Sequence, residues 1–138
     1  MKKITKKTIS MLAIALSFAL ISSCKKDEGK LPNIAFKTTA GYTGASGSVA
    51  KNTILIIGIE ASKSEKKDVL KSFDASKSYD GAAEVSFDSE SLSGSDGDNY
   101  SKDVSIITRN QTGTETYTFT VINKDGIKNS VSLTMTVI

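Results

Sequence analysis

The chain has 138 residues, with 18 Lys+Arg against 15 Asp+Glu and a formal charge of +3, which leaves room for one domain. It contains no histidine and one cysteine, so a Ser-His-Asp triad, an imidazole-ligated metal and an internal disulfide are excluded. Few catalytic options remain.

The first segment reads as an export signal. Lys2, Lys3, Lys6 and Lys7 form a cationic start without an acid, and Ile9 to Ile21 is an apolar run broken only by Ser10 and Ser17. A transmembrane helix needs roughly 17–25 apolar residues, so this run suits the apolar region of a signal peptide instead. Leu20-Ile21-Ser22-Ser23-Cys24 resembles the lipobox of bacterial lipoproteins, where the cysteine sulfur receives a diacylglyceryl group before cleavage. The resemblance implies that residues 1–23 are a lipoprotein signal peptide and that Cys24 is lipidated. It also implies export, and anchorage of the protein in the outer membrane by acyl chains on Cys24. With Cys24 committed to lipid, no thiol nucleophile remains.

Removing residues 1–23 takes away four lysines, leaving 14 Lys+Arg against 15 Asp+Glu and a net −1. The basic balance then belongs to the export signal, and a nucleic-acid partner is not expected, because that footprint needs a retained basic patch. Residues 24–31 follow as a polar tether with too little apolar surface to fold alone. Seven extended residues span about 25 Å, which keeps the domain near its membrane. Lys26-Asp27-Glu28 reads either as an ordinary solvated linker or as similar to the acid-containing segment of surface-exported lipoproteins of gut anaerobes. The second alternative would imply exposure at the cell surface.

Residues 32–138 alternate apolar and polar side chains with the period of strands. The expected strands are Asn33 to Thr38, a brief pairing at Ser48 to Ala50, Thr53 to Ala61, Val69 to Lys77, Glu84 to Ser89, Tyr100 to Arg109, Glu115 to Ile122 and Asn129 to Ile138. Leu55, Ile57, Ile59 and Ala61 share one face of the third stretch. Ile54 and Ile56 lie with Glu60 on the other, and cover from within the chain is the expectation for them. Ser62 to Asp68 reads as a charged connection; a helical turn is credible over Ser62 to Leu70, but a loop is the expectation there. Phe73 and Ala75 face inward on the next strand. Asp80-Gly81 is a strong hairpin signal, since both residues tolerate positive φ. Gly94 to Asn99 reads as a loop, and Tyr100, Val104, Ile106 and Thr108 share a face. In the last hairpin Tyr117, Phe119 and Val121 alternate with threonines. Asn123-Lys124-Asp125-Gly126 turns the chain, and Val131, Leu133, Met135 and Val137 alternate with hydroxyl residues.

About seven short strands with no convincing amphipathic helix imply an all-β, antiparallel β-sandwich. Roughly 107 residues bury enough surface to be stable without a disulfide. The stretch from Thr114 to Gly126 resembles the penultimate strand and turn of immunoglobulin-like and PKD-like modules of bacterial surface proteins. Phe119 stands where antibody domains carry their second cysteine, and Tyr117 matches the tyrosine-corner position. The chain lacks the disulfide and the core tryptophan, so an antibody-type domain is not implied. The resemblance gives an immunoglobulin-like sandwich over residues 32–138.

Candidate chemistry is sparse. Asp96 and Asp98 in Ser95-Asp96-Gly97-Asp98-Asn99, with Asp88 and Glu90 nearby, offer oxygen ligands for calcium. The spacing does not fit an EF-hand loop, and Asp and Gly also serve ordinary turns. No pair of carboxylates converges in the sequence, so no catalytic residue and no cofactor are expected. Tyr42 and Tyr79, in or beside turns, are the candidate exposed aromatics for ligand contact. The outward stripe of Thr116, Thr118, Thr120, Ser132, Thr134 and Thr136 is either a flat platform or simply good strand surface. The expected function is that of a non-enzymatic binding or interaction module of the cell envelope, with an unidentified protein or glycan partner. The alternatives are an accessory glycan-binding lipoprotein and a structural, pilus-like subunit.

Overall fold

Alternation every second residue lets a strand bury one face and wet the other, and the chain folds accordingly. The computed structural model describes residues 29–138. The expected signal peptide, Cys24 and most of the tether lie outside the described residues. Among the described residues no helix is long and apolar enough to cross a membrane.

The described residues form eight strands: β1 (Asn33–Phe36), β2 (Gly47–Val49), β3 (Ile54–Ser62), β4 (Leu70–Tyr79), β5 (Val85–Ser91), β6 (Asn99–Ile107), β7 (Gly113–Asn123) and β8 (Lys128–Val137). They form a three-stranded sheet in the order β1-β3-β6 and a five-stranded sheet in the order β2-β8-β7-β4-β5. The architecture is an all-β sandwich. The count exceeds the expected seven because the brief pairing near Ser48 is a strand in its own right. It also departs from the expected antiparallel rule, since β2 pairs with β8 in parallel. A three-residue edge strand reached by a long loop is not held to the hairpin direction.

The core lies between the two inner faces. Leu55, Ile57, Ile59 and Ala61 of β3 meet Phe73 and Ala75 of β4 and Tyr117, Phe119 and Val121 of β7, all buried. Phe119 anchors this layer: Phe36 approaches it edge-on at 6.0 Å and Phe73 stacks on it at 6.4 Å. Full burial of one such side chain contributes about 1.5–3 kcal/mol. Tyr100 and Val104 of β6 close the layer, as their alternation requires.

The turns follow their residue types. Asp80 and Gly81 both take positive φ, 52° and 79°, and Ala82 N–H donates to the Tyr79 carbonyl at 2.9 Å, so the chain reverses as Asp-Gly predicts. Asn123 does more than occupy a turn. Its Oδ1 accepts from Asp125 and Ile127 N–H at 3.1 and 2.8 Å, and its Nδ2 donates to the buried Asp68 Oδ2 at 2.9 Å. Ser62 ends β3, and the charged connection expected over Ser62 to Asp68 is a loop from residue 63 with one tight turn, where Asp68 N–H donates to the Glu65 carbonyl.

One expectation fails on the outer face. Ile54 and Ile56 are 64% and 44% exposed, and Ile107, paired across from Ile54, is 64% exposed. The first-strand region does not cover them, because β1 pairs with β3 only from Ile59 to Ser62.

Candidate functional site

The outer face of the three-stranded sheet changes character along the strands. Register places Ala35, Glu60 and Ser101 side by side, with Asn33, Ser62 and Asn99 as the next row on the same face. These positions alternate with the core-facing Ala61 and Tyr100, so their side chains stand outward. Small residues flank Glu60 on both sides, which leaves a hollow above the sheet. The hollow belongs to an open cleft of ≈ 670 Å³ whose lining also includes Asn129 of β8. Asn33 Nδ2 donates to Ser62 Oγ at 3.2 Å.

Gly58 lies one row further along, and its lack of a side chain matters. A Cβ there would stand 2.5 Å from Lys37 Cδ and 2.8 Å from the Tyr42 ring. Both side chains therefore lie across the sheet at Gly58. Lys37 Nζ reaches Asp103 Oδ1 at 2.6 Å, and Tyr42 Oη donates to Asp103 Oδ2 at 2.9 Å. These two hydrogen bonds hold the Asp103 carboxyl below its ordinary range. The bridge lies one row along the sheet from Glu60, between it and the isoleucine patch.

The same end of the sandwich receives the chain from its N-terminal side. The Lys30 carbonyl accepts from Asn123 Nδ2 at 3.3 Å and the Pro32 carbonyl from Asn129 Nδ2 at 2.9 Å. Ser64 Oγ donates to the Leu31 carbonyl. Residues 30 and 31, assigned to the tether by sequence, are thus fastened to the domain.

Two ion networks stand outside the cleft. Between the free edges of β5 and β6, Lys102 Nζ bridges Asp88, at 2.7 Å, and Glu90, while Tyr100 Oη donates to Glu90 at 2.7 Å. The bonds from Lys102 and Tyr100 lower the Glu90 pKa. Burial works against the Lys102 charge, but its two carboxylate partners outweigh it and the ammonium is stabilised. Burial, then the bond to Glu90, pushes the Tyr100 phenol upward. Lys102 shares the inward parity of Tyr100 and Val104, which was the available signal for this cluster. A charge pointing inward at an edge also discourages strand addition there.

The second network closes the opposite end. Glu115 is fully buried beside Tyr117. Its Oε1 accepts from the Arg109 backbone N–H at 2.8 Å and from Arg109 Nε at 2.9 Å, and Tyr117 Oη donates to its other oxygen. Arg109 continues to Asp80 Oδ2 at 2.9 Å, with its guanidinium 4.3 Å from the Tyr79 ring centroid. Hydrogen bonds from Arg109 and Thr114 lower the Asp80 pKa. Burial, then the bond to Glu115, raises that of Tyr117. An acid at the inward parity of Tyr117 and Phe119 was the sequence signal.

The residues singled out by sequence are dispersed. Tyr42 lies in the loop after β1, on the Asp103 bridge, and Tyr79 on β4 of the other sheet, under Arg109. Asp96 is exposed on a 3₁₀ turn (Gly94–Gly97), and Asp98 is paired with Lys63 at 2.5 Å. Asp88 and Glu90 are held by Lys102. Among the described residues no three His, Cys, Asp or Glu side chains converge to hold a metal ion. The threonine stripe is largely engaged: Thr116 and Thr134 share a hydrogen bond at 2.9 Å, Thr120 and Ser130 one at 2.7 Å, and Thr118 Oγ1 donates to Glu84 at 2.8 Å.

No protein-family model and no curated protein matches the chain. Solved structures do match. The superoxide reductase (neelaredoxin) from Ignicoccus hospitalis aligns with a TM-score of 0.51 and 7% identity over 79% of this chain and 81% of its own. A variant of the same enzyme aligns with a TM-score of 0.51 and 9% identity over 82% and 84%. These neighbours overturn the expectation of a non-enzymatic module, because the fold they share with this chain is one that carries an enzyme. The lack of histidine narrows the chemistry of a site without making the fold non-catalytic. At such identities the likeness is one of fold, and no residue's role passes with it.

Proposed function

We propose that this protein is an exported lipoprotein of the cell envelope, anchored in the outer membrane by acyl chains on Cys24. Its β-sandwich is of the immunoglobulin-like type and meets a protein or glycan partner close to the membrane. The observation that carries the reading is the order of the N-terminal segment: four lysines, an apolar run of signal-peptide length, and Ser22-Ser23-Cys24. The strand orders β1-β3-β6 and β2-β8-β7-β4-β5 support the immunoglobulin-like assignment. They carry the chain from one sheet to the other at every step except β4 to β5 and β7 to β8, and set the last two strands side by side, as in that fold.

Geometry supports a short leash. With Lys30 to Pro32 fastened to the domain, only residues 24–29 are left as spacer, a reach of about 20 Å. The end bearing the polar cleft then faces the anchor. Several acyl chains would hold the protein firmly, at about 0.8 kcal/mol per buried CH₂, where one chain is marginal.

Intact-mass measurement of membrane-extracted protein tests this. A chain beginning at an acylated Cys24 is expected, and Cys24→Ala should move the protein out of the membrane fraction or leave it unprocessed. A native chain that retains Met1 and carries no lipid refutes the proposal. Protease treatment of intact cells then reports which side of the outer membrane the sandwich occupies.

A further inference from the structure

Glu60 is unusual among the carboxylates of the described residues. Nearly every other described acid is engaged: Asp103 by Lys37 and Tyr42, Asp88 and Glu90 by Lys102, Asp80 and Glu115 by Arg109, Asp68 by Asn123. Glu84 and Asp74 accept from neighbouring hydroxyls. Glu60 forms no ion pair or side-chain hydrogen bond to any described residue, and yet it sits on the floor of the ≈ 670 Å³ cleft rather than on a loop tip.

Its surroundings are neutral and rich in hydrogen-bonding groups. Ala35 and Ser101 flank it across the sheet, and the next row supplies the amides of Asn33 and Asn99 and the hydroxyl of Ser62. The nearest cation along the face, Lys37, is already committed to Asp103 at 2.6 Å. An unneutralised carboxylate amid amide carbonyls and hydroxyls repels an anion, and a neutral ligand would leave its charge unused. A protonated amine satisfies it: an ammonium carries three donors and no acceptor, matching one carboxylate and two neutral acceptors beside it. The small neighbours at 35 and 101 leave room for such a group to descend to the carboxylate.

We propose that the hollow over Glu60 is a binding site for a small polar ligand bearing a protonated primary amine. The carboxylate takes the ammonium, and Asn33, Ser62, Asn99 and Ser101 take its polar frame. The site goes beyond membrane anchorage and does not depend on it. An exposed ion pair of this kind is weak and screened by salt, so affinity resides in the combination of charge and hydrogen bonds.

The test is a nuclear magnetic resonance titration of the full chain, held in detergent micelles because of its apolar 9–21 run. Glucosamine, glucose and glucuronate serve as probes of one shape and three charges. Glucosamine is expected to shift the backbone amides of Ser62, Asn99 and Ser101 saturably, and roughly tenfold more tightly than glucose, the worth of one charge-assisted hydrogen bond. Glucuronate should bind least. Glu60→Gln should abolish the preference for glucosamine while leaving the spectrum of the core unchanged, since Glu60 is exposed. Equal affinity for glucosamine and glucose overturns the amine specificity. Absence of a saturable shift with glucosamine, or a preference that survives Glu60→Gln, overturns the site.

Discussion

Removing one oxygen atom from the core tests how the buried acid is accommodated. Tyr117 and Glu115 are both fully buried, and the tyrosine hydroxyl donates to the glutamate oxygen that Arg109 does not reach. Tyr117→Phe keeps the ring in its packing and deletes only that donor. A hydrogen bond to a charged group contributes about 1.5–3 kcal/mol, and a buried acceptor left without a partner costs on the same scale. The two descriptions overlap, so the expected loss is about 2–3 kcal/mol. For a domain of this size that lowers the thermal midpoint by roughly 8–15 °C. Urea denaturation should give a reduced midpoint with an unchanged slope, because the buried surface is the same. In a Glu115→Leu background the same Tyr117→Phe change should cost much less, since the acceptor is gone. A Tyr117→Phe variant within about 0.5 kcal/mol of wild type, or one whose cost is equal in both backgrounds, would refute the reasoning.

Three further outcomes are expected. Tyr100 and Tyr117 have folded-state pKa values raised above the ordinary 10 by burial and by Glu90 and Glu115; their contribution is complete below that value and is lost as pH rises above it. Denaturant midpoints measured across the alkaline range should fall above about pH 10, and more shallowly in Tyr100→Phe and Tyr117→Phe; parallel profiles would count against the assignment. Asn123→Ala removes the donor to buried Asp68 and the acceptor that shapes the last turn, so a loss of about 2–4 kcal/mol and freer proteolysis near residue 30 should appear together. Replacing Ile54 and Ile107 by threonine should change the thermal midpoint little, within about 0.5 kcal/mol per site, and should raise solubility; marked destabilisation would show that something covers the patch.

Much of the molecule was legible before folding. The strand positions, the inward faces of β3, β7 and β8 and the Asp-Gly turn all follow from alternation and turn chemistry, which are local. The site was not legible. Glu60 looked like an ordinary outward strand residue, and its setting exists only because register brings Ala35 and Ser101 beside it and Asn33, Ser62 and Asn99 above. Tyr42 and Tyr79 stood out as aromatics near turns, but the fold employs them in the Asp103 bridge and under Arg109. Lys102 and Glu115 were not singled out by sequence; each carries a charge at inward parity, and its use depends on how the chain folds back to set Asp88 and Glu90 beside Lys102 and Arg109 beside Glu115.

Composition and period by themselves determined the class of structure: strands, with a core of β-branched and aromatic side chains. They also determined which catalytic groups are absent, histidine foremost. Tertiary structure decided how many strands pair, that β2 runs parallel to β8, which charges meet, and that Ile54 and Ile56 remain in solvent. It also revealed enzyme-bearing neighbours of the same fold where composition had suggested a passive module. The division has one physical cause. Alternation and turn preference act between residues a few positions apart, whereas register, bridges such as Lys37 to Asp103 and Arg109 to Asp80, and the shape of a cleft arise between strands that the sequence holds far apart.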